Sequence, residues 1–212
     1  MTVTDVNVVK SAIFERPDDA NKGTLGSLLC VCGSYGMAGA AVMSAKGALR
    51  TGIGLAKCAL PRSIYPIVAQ TILESVYYPL SENADGRISK VNVPFLVSES
   101  CKSSATLVGC GLGVCDDTLK IVFSLIENST TPLVLDADAL NCVAKQPEIL
   151  LRKKAPIIIT PHPGEMSRLT GLATPLVNAE RERVALDFAQ KYGVVTVLKG
   201  AGTVIALSLI HI

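Results

Sequence analysis

Short apolar runs alternate with amphipathic stretches from Leu28 onward. The apolar runs are rich in β-branched residues and end in Gly, Asp, Pro or Lys, which predicts strands over 28–32, 53–59, 105–108, 132–136, 156–160 and 194–198. The stretches between them predict helices near 38–51, 62–69, 116–127, 138–145 and 175–191. Strands that are apolar throughout, alternating with such helices, are typical of a parallel sheet covered on both faces. The pattern therefore predicts one α/β domain.

The clearest helix lies in "NAERERVALDFAQKYG". Its apolar side is predicted at Val184, Leu186, Phe188 and Ala189, and Gly193 is predicted to end it. The polar segment before Leu28 favours a loop with a short helix around residues 5–13.

Composition narrows the class of ligand. The chain has 212 residues, 49% apolar and 18% charged residues, and a formal net charge of +2. With scattered basic residues and only 4% aromatic residues, nothing indicates a nucleic acid or a membrane as partner. A small molecule is the expected ligand.

Seven cysteines raise the question of disulfides or a metal site. The count is odd, no signal peptide is evident, and Cys30, Cys32, Cys58 and Cys142 lie in apolar stretches, which favours reduced, buried thiols in a cytoplasmic protein. Cys30 and Cys32 are two apart, so a strand would place both on one face. With two histidines and no CxxC pair, no metal ligands are predicted.

The first strand runs into "GSYGMAGA", which is either a phosphate-binding loop, a packing device or a seat for another ligand. Its GxxGxxG spacing differs from the dinucleotide fingerprint GxGxxG, and no acidic residue ends the second strand. A nicotinamide-dependent oxidoreductase is therefore disfavoured.

Four other strand ends carry unusual chemistry: "GCGLG", "DADALN", "TPHPGE" and "KGAGT". Ligands of open α/β sheets bind at the carboxyl ends of the strands, so the coincidence of these motifs indicates a site there. Asp136 is expected to face a ligand or a neighbouring loop, and Asp138 either to do so or to cap a helix. His162 is held between two prolines, Glu165 falls in a first helical turn, and the amides after Lys199 suit phosphate oxygens.

Together these motifs resemble the ADP- or ATP-dependent NAD(P)H-hydrate dehydratases of the ribokinase-like superfamily. They occur in that family's order over nearly the whole chain, and "TPHPGE" with "KGAGT" is the specific combination. The resemblance implies a three-layer α/β/α fold with a mostly parallel sheet. It also implies a lyase that phosphorylates the S-epimer of hydrated NADH or NADPH and then eliminates phosphate, with ADP or ATP as co-substrate and Mg²⁺ as cofactor. A homo-oligomer, specifically a tetramer, is expected.

By resemblance, Ala40, Gly111 and His162 contact the hydrated dinucleotide. The nucleotide is implied to bind Lys199, Gly200, Ala201, Gly202 and Thr203. Asp136 and Glu165 have supporting roles, Glu165 near magnesium, and no residue of this chain is expected to be a metal ligand proper or the catalytic base.

The family continues past "VIA" into a GTGD segment that supplies an anion hole and the catalytic Asp, whereas this sequence continues "LSLIHI". We therefore expect residues 1–206 to form one incomplete domain without its last strands and helices, and 207–212 to be a non-native tail. The chain as written is expected to show no turnover. The alternatives are a ribokinase-like kinase for a small alcohol, such as a thiamin or pyridoxal precursor, and a non-catalytic nucleotide-binding module.

Overall fold

The structure is a computed structural model that describes Asp18, Ala20 and residues 23–207. Within these residues the strands are β1 (Ser27–Val31), β2 (Leu55–Pro61), β3 (Val76–Leu80), β4 (Ala105–Val108), β5 (Leu133–Leu135), β6 (Ile157–Ile159), β7 (Val195–Leu198) and β8 (Val204–Ala206). They form a single sheet in the order β3-β2-β1-β4-β5-β6-β7-β8. Every neighbouring pair is parallel except β7 and β8. The predicted mostly parallel α/β fold is confirmed.

The helices connect successive parallel strands. They are α1 (Ala38–Arg50), α2 (Tyr65–Thr71), α3 (Val93–Cys101), α4 (Asp116–Asn128), α5 (Asp138–Val143), α6 (Pro163–Thr170), α7 (Thr174–Ala179) and α8 (Arg181–Tyr192). Short 3₁₀ turns cover Lys90–Asn92 and Pro147–Arg152. No helix in this described part of the chain is both long and apolar enough to cross a membrane.

Strand β3 and helix α3 were not predicted from the hydrophobic pattern. Strand β3, "VYYPL", contains a proline and lies at the sheet edge, where a missing N–H costs no ladder hydrogen bond. Helix α3 follows a 3₁₀ turn and carries Pro94 in its first turn. The predicted helix 5–13 and residues 208–212 lie outside the described residues.

The predicted helix over 175–191 is interrupted at Glu180, which separates α7 from α8. The buried positions of α8 are Val184, Ala185, Phe188, Ala189 and Tyr192, spaced as one helical face. The prediction that Leu186 lies on that face is wrong. Leu186 falls between the buried positions and is exposed. Gly193 ends the helix with φ +61°, as predicted.

Strand β1 is buried on both faces, and its side chains separate two apolar clusters. Leu29 and Val31 belong to the larger cluster, formed with α3 to α8. Cys30 and Cys32 face the smaller cluster, formed with α1 and α2, which confirms that they share a face. Because the central strand is sandwiched in this way, its carboxyl end is held rigidly beneath the loop that follows it.

In the half of the sheet formed by β5 to β8, the two faces are not equally buried. Its larger-cluster face is buried, as at Leu135 and Ile159. On the opposite face Val134 is in register with Ile158, and Val197 with Ile205. Among the described residues the first three of these are half-buried, Ile205 is 61% exposed, and all four lie outside both clusters.

Candidate functional site

Five loops meet at the carboxyl edge of the sheet. They follow β1, β4, β5, β6 and β7, which are all parallel and therefore end on the same side. Backbone hydrogen bonds join them: Gly33 N to Cys110 O (2.8 Å), Asp136 N to Val108 O (3.1 Å) and Lys199 N to Pro161 O (2.8 Å). The predicted coincidence of the strand-end motifs is therefore a physical cluster.

The three glycines of the β1–α1 loop have different roles. A Cβ on Gly33 would lie 2.8 Å from Ile64 Cδ1 and 3.1 Å from Ala41 Cβ, so Gly33 is a packing residue. A Cβ on Gly36 or Gly39 would meet nothing within 4 Å. Both line a shallow cavity of about 400 Å³ between this loop and α2. These two positions are therefore open to a ligand.

Ala40 and Gly111 are neighbours across the β1–α1 and β4–α4 loops. A Cβ on Gly111 would lie 2.6 Å from Ala40 Cβ, and Gly111 has φ +66°. Ser34 Oγ donates a 2.8 Å hydrogen bond to Gly111 O, which fixes the two loops together. Two of the expected substrate residues are thus brought into contact.

The β4 and β5 ends approach even more closely. A Cβ on Gly109, which has φ +121°, would lie 2.0 Å from Asp136 O and 2.6 Å from Ala139 N. On the β5 side Ala137 has φ +51°, a left-handed conformation uncommon for a residue with a side chain. Such strained conformations cluster at functional sites. This close packing fixes the backbone at Asp136, and therefore the point from which its carboxylate side chain extends.

Asp136 joins the two halves of the site. Its Oδ1 accepts a 2.6 Å hydrogen bond from Lys199 Nζ and a 2.9 Å bond from Ala137 N. Its Oδ2 lies 3.8 Å from Cys110 Sγ. Both side chains of the ion pair are partly exposed, so the lysine is oriented by Asp136 while it stays accessible.

Asp138 does not cap helix α5, which begins at Asp138 itself and has no side-chain cap. Its Oδ2 accepts a 2.8 Å hydrogen bond from Gly113 N, and its Oδ1 accepts one from Asn141 Nδ2. The capping interpretation is therefore wrong, because the carboxylate is used to hold the β4–α4 loop.

His162 is the N-cap of α6. Its Nδ1 accepts hydrogen bonds from Gly164 N (3.0 Å) and Glu165 N (3.3 Å), and its Nε2 lies 3.4 Å from Glu165 Oε1. In return Glu165 Oε2 accepts from His162 N at 2.8 Å. The ring is half-exposed and Glu165 is buried. This reciprocal capping fixes the orientation of the ring at the site edge.

The loop Lys199–Thr203 is held from below by Arg181, a residue that the sequence pattern did not single out. Arg181 Nη2 donates to Leu198 O (2.8 Å) and Lys199 O (3.0 Å). A Cβ on Gly200, which has φ +152°, would lie 2.8 Å from that nitrogen. Residues 200–203 are exposed, and Thr203 Oγ1 donates to Gly200 O. The glycine is thus required by the arginine beneath it.

Magnesium has few free ligands here. Asp138 and Glu165 use their carboxylates on backbone N–H groups, and Asp136 is paired with Lys199. In the described part of the chain no three His, Cys, Asp or Glu residues are grouped to hold a metal ion. None of these residues is therefore assigned to the ion.

The fold, a mostly parallel sheet covered by helices, is of the ribokinase-like type. A ribokinase-like superfamily protein from Enterococcus faecalis, 20% identical, superposes with a TM-score of 0.76 over 92% of this chain and 65% of that chain. The NAD(P)H-hydrate dehydratase family model matches residues 28–209. The chain belongs to that family.

Individual relatives support this family assignment. The bifunctional NAD(P)H-hydrate repair enzyme Nnr of Thermofilum pendens is 39% identical over 90% of this chain, and the ADP-dependent (S)-NAD(P)H-hydrate dehydratase of Neisseria meningitidis is 31% identical over 90%. The Bacillus subtilis ADP/ATP-dependent dehydratase, co-crystallised with ATP/Mg²⁺, is 29% identical with a TM-score of 0.78 over 95% of this chain and 68% of that chain. This chain spans 36% of the Thermofilum enzyme and 61% of the Neisseria enzyme.

Proposed function

We propose that the protein carrying this chain repairs nicotinamide nucleotides. It uses ADP or ATP to dehydrate the S-epimer of hydrated NADH or NADPH. The observation that supports this most is the continuous series of contacts from Ala40 through Gly111, Cys110 and Asp136 to Lys199. The series begins at Ala40, which follows Gly39 of the glycine-lined cavity, and ends at an oriented ammonium group suited to the phosphates of a nucleotide.

Lys199 and the segment Gly200–Thr203 bind the nucleotide in this proposal. The ammonium of Lys199 neutralises phosphate charge, and Asp136 holds it in place at 2.6 Å. Residues 200–203 are exposed, so phosphate oxygens have access to their amides. Arg181 maintains the loop geometry.

Ala40, Gly111 and His162 bind the hydrated dinucleotide. Ala40 and Gly111 pack directly against each other, so a larger side chain at either position would displace the backbone on this side of the site. His162 and Glu165 support this edge, since each caps the other.

The reaction requires positioning above all. The ring hydroxyl gives its proton to a base as its oxygen attacks the terminal phosphorus of the nucleotide, and the P–O bond to the leaving nucleotide breaks. The C–O bond to the transferred phosphate then breaks, a ring proton is lost and the double bond is restored. We assign the described residues to binding and charge neutralisation and none of them to the base.

Paired variants in the protein that carries this chain test the assignment. Ala40→Val adds bulk beside Gly111 and should raise KM for hydrated NADH about tenfold with little effect on KM for ADP. Lys199→Met should raise KM for ADP with little effect on KM for hydrated NADH, and calorimetry should show weaker ADP binding. Restoration of NADH absorbance at 340 nm reports turnover. Equal effects of both variants on both substrates, or accumulation of a phosphorylated alcohol as the final product, would contradict the proposal.

We also propose that the protein is a homo-oligomer, specifically a tetramer. Tyr35 (75% exposed), Met43 and Ile67 present apolar surface around α1 and α2. Light scattering after size exclusion measures the mass, and a monomer at micromolar concentration would contradict this.

A further inference from the structure

Four of the seven cysteines gather beneath the candidate site on one face of the sheet. Cys30 and Cys32 lie on and just after β1, Cys58 on β2, and Cys110 in the β4–α4 loop. Cys30 and Cys58 are register partners, and all four belong to or pack against the smaller apolar cluster. Such a concentration of thiols is not needed for packing alone, since small apolar residues would fill the same volume.

Cys32 and Cys110 form a distinct pair within this group. Cys32 belongs to the smaller apolar cluster and Cys110 packs against it, and the backbones are tied by the 2.8 Å bond from Gly33 N to Cys110 O. Cys32 is 1% exposed, whereas Cys110 is partly exposed at the site edge. The pair therefore combines one accessible sulfur with one buried sulfur at the same apolar cluster.

Electrostatics distinguish the two sulfurs. Interaction with Cys32 lowers the pKa of the Cys110 thiol below its ordinary value, whereas interaction with Cys110 and burial raise that of Cys32. Asp136, 3.8 Å from Cys110, opposes thiolate formation, but Lys199 pairs with that carboxylate. Burial raises the pKa of both Cys30 and Cys58. Cys110 is thus the nucleophilic member of the cluster.

We propose that Cys110 and Cys32 are a peroxide-oxidised thiol pair. The Cys110 thiolate attacks one oxygen of a hydroperoxide, the O–O bond breaks, and a sulfenic acid forms as hydroxide or alkoxide leaves. The Cys32 sulfur then attacks the Cys110 sulfur, an S–S bond forms, and the sulfenic oxygen departs as water with the Cys32 proton. Two thiols are oxidised and one peroxide is reduced. A dithiol reduces the disulfide back to two thiols and is itself oxidised to a disulfide.

The disulfide would change the candidate site. It would tie the start of the β1–α1 loop covalently to the β4–α4 loop, next to the Ser34–Gly111 hydrogen bond. Cys110 would also lose the proton that it donates toward Asp136. The loops that hold Ala40 and Gly111 would therefore be fixed by oxidation in one relative position.

Mass spectrometry of the intact chain tests this without any activity measurement. After reduction and buffer exchange, a few equivalents of hydrogen peroxide should remove about 2 Da, the mass of the two hydrogens lost. Tryptic peptides 23–46 and 103–120 should become linked. Each peptide carries a second cysteine, Cys30 or Cys115, so variants must assign the bond.

Cys30→Ser and Cys115→Ser are the matched controls and should keep the linkage. Cys32→Ser should lose it and instead accumulate a sulfenic acid at Cys110 that dimedone traps, while Cys110→Ser should lose both. Cys110→Ala is a second variant in case serine perturbs folding, with circular dichroism as the check. Linkage surviving in Cys32→Ser or Cys110→Ala, or Cys101 oxidising as fast as Cys110, would overturn the proposal.

Discussion

Replacing Gly109 with alanine is the sharpest test of how tightly the β4 and β5 ends are packed. The substitution adds one methyl group at a position with φ +121°. That methyl would lie 2.0 Å from Asp136 O and 2.6 Å from both Ala139 Cβ and Ala139 N. Two of these three atoms are backbone, so relief requires movement of the Asp136–Ala139 turn rather than rotation of a side chain.

The expected cost has two parts. A non-glycine residue in this backbone region costs about 1–2 kcal/mol. Overpacking against atoms that cannot rotate away adds about 1–3 kcal/mol. We therefore expect Gly109→Ala to lower the free energy of unfolding by about 2–5 kcal/mol.

Urea unfolding followed by far-ultraviolet circular dichroism measures this difference. Gly47→Ala is the matched control, because Gly47 lies in α1 and a Cβ there meets nothing within 4 Å. It should stabilise the protein by about 0.5–1 kcal/mol through helix propensity. A loss below about 1 kcal/mol for Gly109→Ala would refute the argument, since the combined strain would then be absent.

Three further predictions concern other positions. Thr196 is fully buried and its Oγ1 has no hydrogen-bond partner among the described residues, so Thr196→Val should raise the free energy of unfolding by about 1 kcal/mol in urea titrations, whereas Thr196→Ser should not. A hydrogen bond from Lys102 lowers the pKa of Glu99. The ionised Glu99 carboxylate therefore stabilises the fold fully above its unfolded pKa of about 4.3, and this stabilisation is lost as pH falls through its lower folded pKa. In Glu99→Gln the free energy of unfolding should vary less with pH between pH 5 and pH 3. Arg181→Ala removes both donors to the Leu198–Lys199 carbonyls and should weaken ADP binding by about tenfold in calorimetry, with Arg181→Lys intermediate.

The hydrophobic pattern predicted an element correctly where the pattern extended over the whole element, and a loop where its motif occupied a few consecutive residues. Buried parallel strands such as β1 and β4 were predicted within two residues, because uninterrupted apolar runs have few other uses. Strand β3 was missed because its edge position tolerates a proline that argues against a strand elsewhere. The break at Glu180 also escaped notice, since both flanking segments are individually good helices.

The candidate site was predictable as a set of loops but not as a set of contacts. The strand-end motifs located Asp136 and Lys199, yet only the structure shows their 2.6 Å pairing. Arg181 was missed because its partners are carbonyl oxygens about 18 residues away, and a backbone acceptor leaves no sequence signal. Ser34 was missed for the same reason, because its hydroxyl donates to the carbonyl oxygen of Gly111.

The reversal of direction at β8 has a topological consequence. The site lies at the carboxyl ends of the parallel strands, but β8 is antiparallel to β7 and carries the backbone away from that edge. A polypeptide segment that follows Leu207 and contributes an atom to the site must therefore recross the full length of the sheet. The sheet face that carries Val134, Ile158 and Val197 provides an apolar surface for that return path. Contact between such a segment and the site would be non-local, and non-local contacts slow folding.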